Sequence, residues 1–234
     1  MSAILILGEP GSGKSASLEN LDPKTTVILK PNTKQLPFVG SAVKYNKDVA
    51  KNSFFIPNLA GLGPAIDGIN ANAKHVRTIV LEDFTHYMSK DVMDSVSDKG
   101  YEKWTQLAVK IYNNVIQKAI NGLRPDLDFI FIAHTSVNTD SSGNTEIGMQ
   151  TVGKLLENSI KIPSYFTYVF HALINYDTEE PRYWFQTNRD NVRLAKSPKG
   201  CFPLFIPNDC KLIFDRIHAY EAGNIDQAII PSAK

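Results

Sequence analysis

The segment Gly8-Glu9-Pro10-Gly11-Ser12-Gly13-Lys14-Ser15 fills every fixed position of a phosphate-binding P-loop. Before it runs Ala3-Ile4-Leu5-Ile6-Leu7, an unbroken apolar stretch that reads as a strand buried on both faces. After it, Ala16-Ser17-Leu18-Glu19-Asn20 is short and compatible with a helix start. The glycines reach backbone conformations that a Cβ forbids, so successive N–H groups converge on phosphate oxygens. In that arrangement Lys14 reaches the β- and γ-phosphates, the Ser15 hydroxyl ligates Mg²⁺, and a following helix adds the positive end of its dipole. Gly8, Glu9, Pro10, Gly11, Ser12, Gly13, Lys14, Ser15 and Ala16 are the expected nucleotide-binding residues. The plain alternative is an ordinary glycine-rich turn, and the complete motif with correct flanks argues against it.

The chain has 234 residues, 43% of them hydrophobic and 21% charged, which suits a single α/β domain spanning 1–234. Its formal net charge of +1 offers no global basic field for nucleic acid, although a local groove remains compatible with one. Cys201 and Cys210 are too far apart for a Cys-x-x-Cys pair and read as reduced thiols. The five histidines show no metal-ligand spacing. The first core strand begins almost at Met1, and no apolar run approaches a membrane span, so a cytoplasmic protein is expected.

Further strands are predicted at 25–29, briefly at Phe54-Phe55-Ile56, at Thr78-Ile79-Val80-Leu81 and at 128–133. A short helix is expected over 63–73, and helical segments between Asp91 and Gly122. There Leu107, Ile111, Val115 and Ala119 recur every four residues, joined by Ala108 and Ile116. Residues 138–146 form a polar hairpin or loop, 154–160 a helix-like stretch, and 165–175 and 182–187 two strands joined by 177–181. A last helix is expected near 210–221. Strands alternating with helices imply a mostly parallel sheet flanked by helices, extended by an antiparallel C-terminal hairpin.

Hydrolysis needs more than a phosphate loop: a carboxylate at the metal and a group that positions water. Glu82-Asp83 ends an apolar strand, where one carboxylate would hold the Mg²⁺ shell and the other orient or deprotonate water. The alternative is an acidic pair that caps a turn at Asp83-Phe84-Thr85. His134, at the edge of the following strand, is a candidate sensor of the terminal phosphate, or else a histidine hydrogen-bonded at a strand end. His171, inside the apolar run 168–174, reads as a satisfied core or sheet-surface histidine. Arg189, Arg193, Lys196 and Lys199 are interrupted by one acid, Asp190. They form a solvated face, a basic finger reaching a neighbouring subunit's γ-phosphate, or a nucleic-acid contact. Tyr101, Trp104, Tyr183 and Trp184 are candidates for stacking on bases or for the core.

The ordered blocks Gly8–Leu18 with Asn20-Leu21-Asp22-Pro23, Lys34-Gln35-Leu36-Pro37-Phe38, Leu81-Glu82-Asp83-Phe84-Thr85 and Phe131-Ile132-Ala133-His134-Thr135 extend over much of the chain. Val152-Gly153-Lys154, Ala195-Lys196-Ser197-Pro198 and Pro207-Asn208-Asp209 follow. Together they resemble the single-domain, phage-type ATPases of the RecA-like superfamily, associated with recombination or single-strand annealing. The resemblance implies a RecA-like P-loop NTPase core in a phage protein of the host cytoplasm. It also implies Mg-ATP hydrolysis at subunit interfaces, and rings or filaments acting around single-stranded DNA. Lys14, Glu82, Asp83, His134, Arg193 and Lys196 are then the candidate catalytic residues, and Ser15, Glu82 and Asp83 the metal ligands. Two positions depart from the pattern. Such proteins usually carry aspartate where Glu82 stands, and many carry a catalytic glutamate where this chain has Lys30-Pro31-Asn32. A nucleotide-dependent assembly module with little hydrolysis is the main alternative, and a small-molecule P-loop kinase a third reading.

Overall fold

The computed structural model describes residues 1–95, 102–139, 142–152, 160–176, 182–228 and 230. The expected helix over 154–160, Val152-Gly153-Lys154 beyond Val152, the 177–181 connection and Tyr101 fall wholly or largely outside them. The strands are β1 (Ala3–Gly8), β2 (Thr26–Lys30), β3 (Ser53–Phe55), β4 (Thr78–Leu81), β5 (Asp128–Thr139), β6 (Thr145–Met149), β7 (Tyr168–Asn175), β8 (Arg182–Gln186) and β9 (Phe205–Pro207). The helices are α1 (Ser41–Lys44), α2 (Leu59–Asn72), α3 (Phe84–Asp94), α4 (Glu102–Ile111) and α5 (Cys210–Glu221).

The sheet runs β3-β2-β4-β5-β1-β7-β8-β9, parallel from β3 through β7; β8 is antiparallel to β7, and β9, antiparallel to β8, runs again in the direction of the main sheet. Side chains on a strand alternate between faces, and both faces here are covered, which is why the sequence reads as continuous apolar runs. Leu5, Leu7, Ile79, Leu81, Phe129 and Phe131 bury against α2, α3, α4 and the segment after it. Ile4, Ile6, Val80, Ile130 and Ile132 bury on the other face against Leu18, Leu21 and α5, through Ile213, Phe214 and Ile217.

Four elements differ from expectation. The helix expected at 63–73 begins at Leu59 despite Gly61, Gly63 and an internal Pro64. The Asn58 side chain accepts from the Gly61 N–H, and full burial of Leu59, Leu62 and Ile66 outweighs the helix-breaking residues. Helix formation after β4 begins at Phe84 rather than Asp91, since Phe84, Tyr87 and Met88 form one buried stripe. Beyond α4 the helix widens into π turns at 112–116 and 118–122. A strict four-residue repeat drifts by about 40° per step around an α-helix, and wider turns offset that drift, keeping Ile111, Val115 and Ala119 in the core. Finally, the P-loop is followed by a single 3₁₀ turn, Ala16–Leu18. Leu18 and Leu21 are drawn into the core, and Asp22-Pro23 turns the chain back towards β2. The dipole expected of a helix is therefore reduced to one turn, and phosphate binding would fall to the loop N–H groups and Lys14.

Candidate functional site

The loop after β1 crosses the C-terminal edge of the sheet with Gly11 and Gly13 at φ of +83° and +90°. A Cβ on Gly13 would stand 2.6 Å from Cδ1 of Tyr183, so the β8 ring packs directly on the loop. A cavity of about 420 Å³ opens here. Pro10, Gly11, Gly13, Lys14, Ser15 and Ala16 form one side, and Glu82, Asp83 and His134 another. Gly8, Glu9 and Ser12 do not line it. The Gly8 and Glu9 carbonyls accept from Lys14 Nζ at 2.8 and 2.7 Å, and Ser12 is buried behind the loop.

The short turn after the loop is moored to α5. Ser17 Oγ donates to the Lys14 carbonyl at 2.5 Å and lies 3.1 Å from Cys210 Sγ, while Asn20 Nδ2 donates to Asp209, the α5 N-cap, at 2.8 Å. Cys210 is buried, and burial pushes its thiol up to about 12, so it stays protonated beside the hydroxyl.

Burial lowers the Lys14 ammonium to about 8, against the pull of Glu82, Asp83 and Glu9. Ser15 Oγ donates to Glu82 Oε1 at 2.5 Å, and Glu82 Oε2 is buried without a hydrogen-bond partner. Burial raises the Glu82 carboxyl above the ordinary range, opposed by the Ser15 hydrogen bond and by Lys14 and Lys30. Asp83 turns the chain from β4 into α3 in the left-handed region, φ 54° and ψ 52°, unusual for a residue other than glycine. Burial would raise its carboxyl too, but His134 and His86 outweigh that and bring it below the ordinary value. His134 Nε2 lies 3.4 Å from Asp83 Oδ1, and the His134 N–H donates to Thr85 Oγ1 at 2.9 Å.

His134 does not end its strand. It is the last β5 residue paired with β1, opposite Gly8, and from Thr135 the same strand pairs antiparallel with β6. Both ends of the polar excursion are thus paired strand, Asn138 with Glu146 and Thr139 with Thr145. The hairpin holds the basic segment: Ile147 N–H donates to the Val192 carbonyl, Leu194 N–H to the Ile147 carbonyl, and Arg189 lies 3.3 Å from Glu146. Arg193 pairs with Asp190 at 3.0 Å, and Lys196 Nζ points to the Ser164 carbonyl at 3.5 Å. Neither lines the cavity beside the P-loop. Arg193 instead borders a smaller cavity of about 210 Å³ behind the loop, with Glu9, Ser12 and His171. His171 is a buried sheet residue, as expected, and burial lowers it to about 4.

Two groups of residues join the site without having been expected at the nucleotide. Tyr183 touches the loop through a sheet pairing that local sequence does not encode. Asn32, Lys34 and Gln35 line the same cavity, since β2 lies beside β4.

The strand carrying His134 lies between the loop strand and the acid strand, and the sheet is mostly parallel with an antiparallel extension. Fold and loop together define the class: an α/β domain with a mostly parallel sheet that carries a P-loop after its first strand. No protein-family model matches the chain, and no match is found among curated proteins. Among solved structures the chain is similar to the flagellar accessory protein FlaH of Methanocaldococcus jannaschii. The two are 11% identical with a TM-score of 0.43, over 88% of this chain and 83% of that one. The class rests on strand order and loop. Among the described residues no helix is long and apolar enough to cross a membrane, and no group of three or more His, Cys, Asp or Glu residues is placed to hold a metal ion.

Proposed function

We propose that the protein binds Mg-ATP in the cavity between the P-loop and Glu82-Asp83 and hydrolyses it, self-assembling into a ring or filament on single-stranded DNA. The observation that carries the nucleotide reading is convergence. The positive-φ glycines, Lys14, the Ser15–Glu82 pair and the Asp83–His134 contact all meet at one sheet edge. The donor set fits Mg²⁺: a hydroxyl and a carboxylate with one buried, unpartnered oxygen are the hard oxygen ligands it prefers. Ser15 and Glu82 would hold it, with Asp83 close by. Held there by Ser15 and Glu82, Mg²⁺ would supply positive charge to offset the negative charge that develops during phosphoryl transfer.

Lys14 exchanges its two carbonyl partners for phosphate oxygens, which suit an ammonium better. Asp83, kept ionised by His134, orients water, and His134 links the phosphate end of the cavity to the hairpin. Arg193 and Lys196 are assigned to a neighbouring subunit's site or to DNA.

One observation favours a second reading, a nucleotide-dependent assembly module with little hydrolysis. Lys30 occupies the end of β2 beside Glu82, where a glutamate would serve as base. A turnover assay separates the two. ATP hydrolysis stimulated by single-stranded DNA at low salt and lost in Lys14→Ala supports the motor. Nucleotide-induced assembly seen by light scattering, without turnover, supports the module. An unchanged monomer under all conditions removes the assembly claim from both.

A further inference from the structure

The block Lys34-Gln35-Leu36-Pro37-Phe38 takes no part in the chemistry described so far. Its place is set by the sheet. Leu29 pairs with Leu81, and the Glu82 N–H donates to the Leu29 carbonyl at 2.9 Å, so the chain leaving β2 emerges beside the acid pair. Residues 32–37 then form a wall of the nucleotide cavity through Asn32, Lys34, Gln35 and Pro37.

This strap is fixed at its backbone. Pro31 and Leu36 are buried at its two ends, and Ser41 Oγ donates to the Leu36 carbonyl at 2.7 Å. Between them, both main-chain groups of Lys34 are held: its N–H donates to Asn32 Oδ1 at 2.9 Å, and its carbonyl accepts from Lys30 Nζ at 2.7 Å. The Lys34 side chain is exposed, and among the described residues its ammonium has no hydrogen-bond or ion-pair partner. The pinned backbone fixes the root of the side chain on the cavity wall and leaves a flexible, uncommitted cation free to meet an anion there.

We propose that Lys34 is a recognition residue for the terminal phosphate, supplied by the same chain that supplies the P-loop. The inference rests on the nucleotide reading above. The strap lies on the Glu82-Asp83 side of the cavity, and the terminal phosphate is the group that faces the metal-side carboxylates. Lys34 therefore distinguishes a triphosphate from a diphosphate, while Lys14 holds both.

The test is calorimetric titration of the full chain, in Mg²⁺ at fixed salt, with ADP and with a non-hydrolysable β,γ-imido ATP analogue. Lys34→Ala is expected to weaken the triphosphate analogue about tenfold and ADP by less than about twofold, the scale of one charge-assisted contact. Lys34→Arg should retain most of the discrimination, and thermal melts of both variants should match wild type, since the side chain is exposed. Equal weakening of both nucleotides by Lys34→Ala, or weakening of neither, overturns the assignment. If Lys14→Ala abolishes binding while Lys34→Ala leaves the ratio unchanged, the P-loop reading stands and the Lys34 inference alone falls. If wild type binds neither nucleotide, the P-loop reading falls and takes Lys34 with it.

Discussion

Lys14 is 6% exposed, with its ammonium bonded to the carbonyls of Gly8 and Glu9 at 2.8 and 2.7 Å. Burial sets its pKa at about 8 against the ordinary 10.5. A lysine whose folded pKa is depressed destabilises the fold while it stays charged, here on the order of 3 kcal/mol at neutral pH. Lys14→Met keeps the length and removes the charge, but leaves two carbonyls without a donor at about 1 kcal/mol each. The expected net effect at pH 7 is a gain of about 1 kcal/mol, or about 2–4 °C in Tm for a chain of this size. The sign with pH is fixed. Between about 8 and 10.5 the unfolded wild-type chain binds a proton that the folded one has released, so wild-type stability rises with pH and the advantage of the variant shrinks. Urea denaturation of both proteins in nucleotide-free buffer from pH 7 to 10 measures this. A variant less stable than wild type at pH 7, or a difference that does not change with pH, refutes the account of a strained buried ammonium.

Two further outcomes follow from the same neighbourhood. Gly13→Ala places a Cβ at φ +90° and against the Tyr183 ring, and should cost about 2–3 kcal/mol in wild type but about 1–2 in a Tyr183→Ala background. Equal costs in the two backgrounds, read by urea denaturation, would show that the ring does not rest on the loop. Burial sets the His171 pKa at about 4 against 6.5, so the stability given by its neutral form is lost as pH falls from 6.5 to about 4, on the order of 3 kcal/mol. Relative to wild type, His171→Gln should flatten stability over that pH range; parallel profiles would sink the assignment.

Much of the fold was legible because its signals are local. Ala3–Leu7, Thr78–Leu81 and the Asp209-capped helix at 210–221 each carry their own apolar pattern or cap. The loop was legible as chemistry, because glycine, lysine and serine at that spacing have little other use. The rest was hidden where tertiary burial overrides local preference. Gly61, Gly63 and Pro64 argue against a helix that Leu59, Leu62 and Ile66 nevertheless bury. Ala16–Asn20 reads as a helix, yet Leu18 and Leu21 shorten it to one turn. Glu82, Asp83 and His134 were legible as strand-end residues, but the place of Lys34 and Tyr183 beside them was not. These residues meet only through strand order, and no window of sequence contains that order.

That order has a consequence for how the protein is made. β1 carries the phosphate loop, but it does not pair with β2, its sequence neighbour; Ala3 pairs with Phe129 and Ile4 with Tyr168. During synthesis the loop is translated before either partner strand exists, and it cannot take its place until both have arrived. Closing so long a stretch of chain is a late and slow event. The loop therefore takes its place on the sheet only after Tyr168–Asn175 has been made, with β8 and β9 still to be added at the edge.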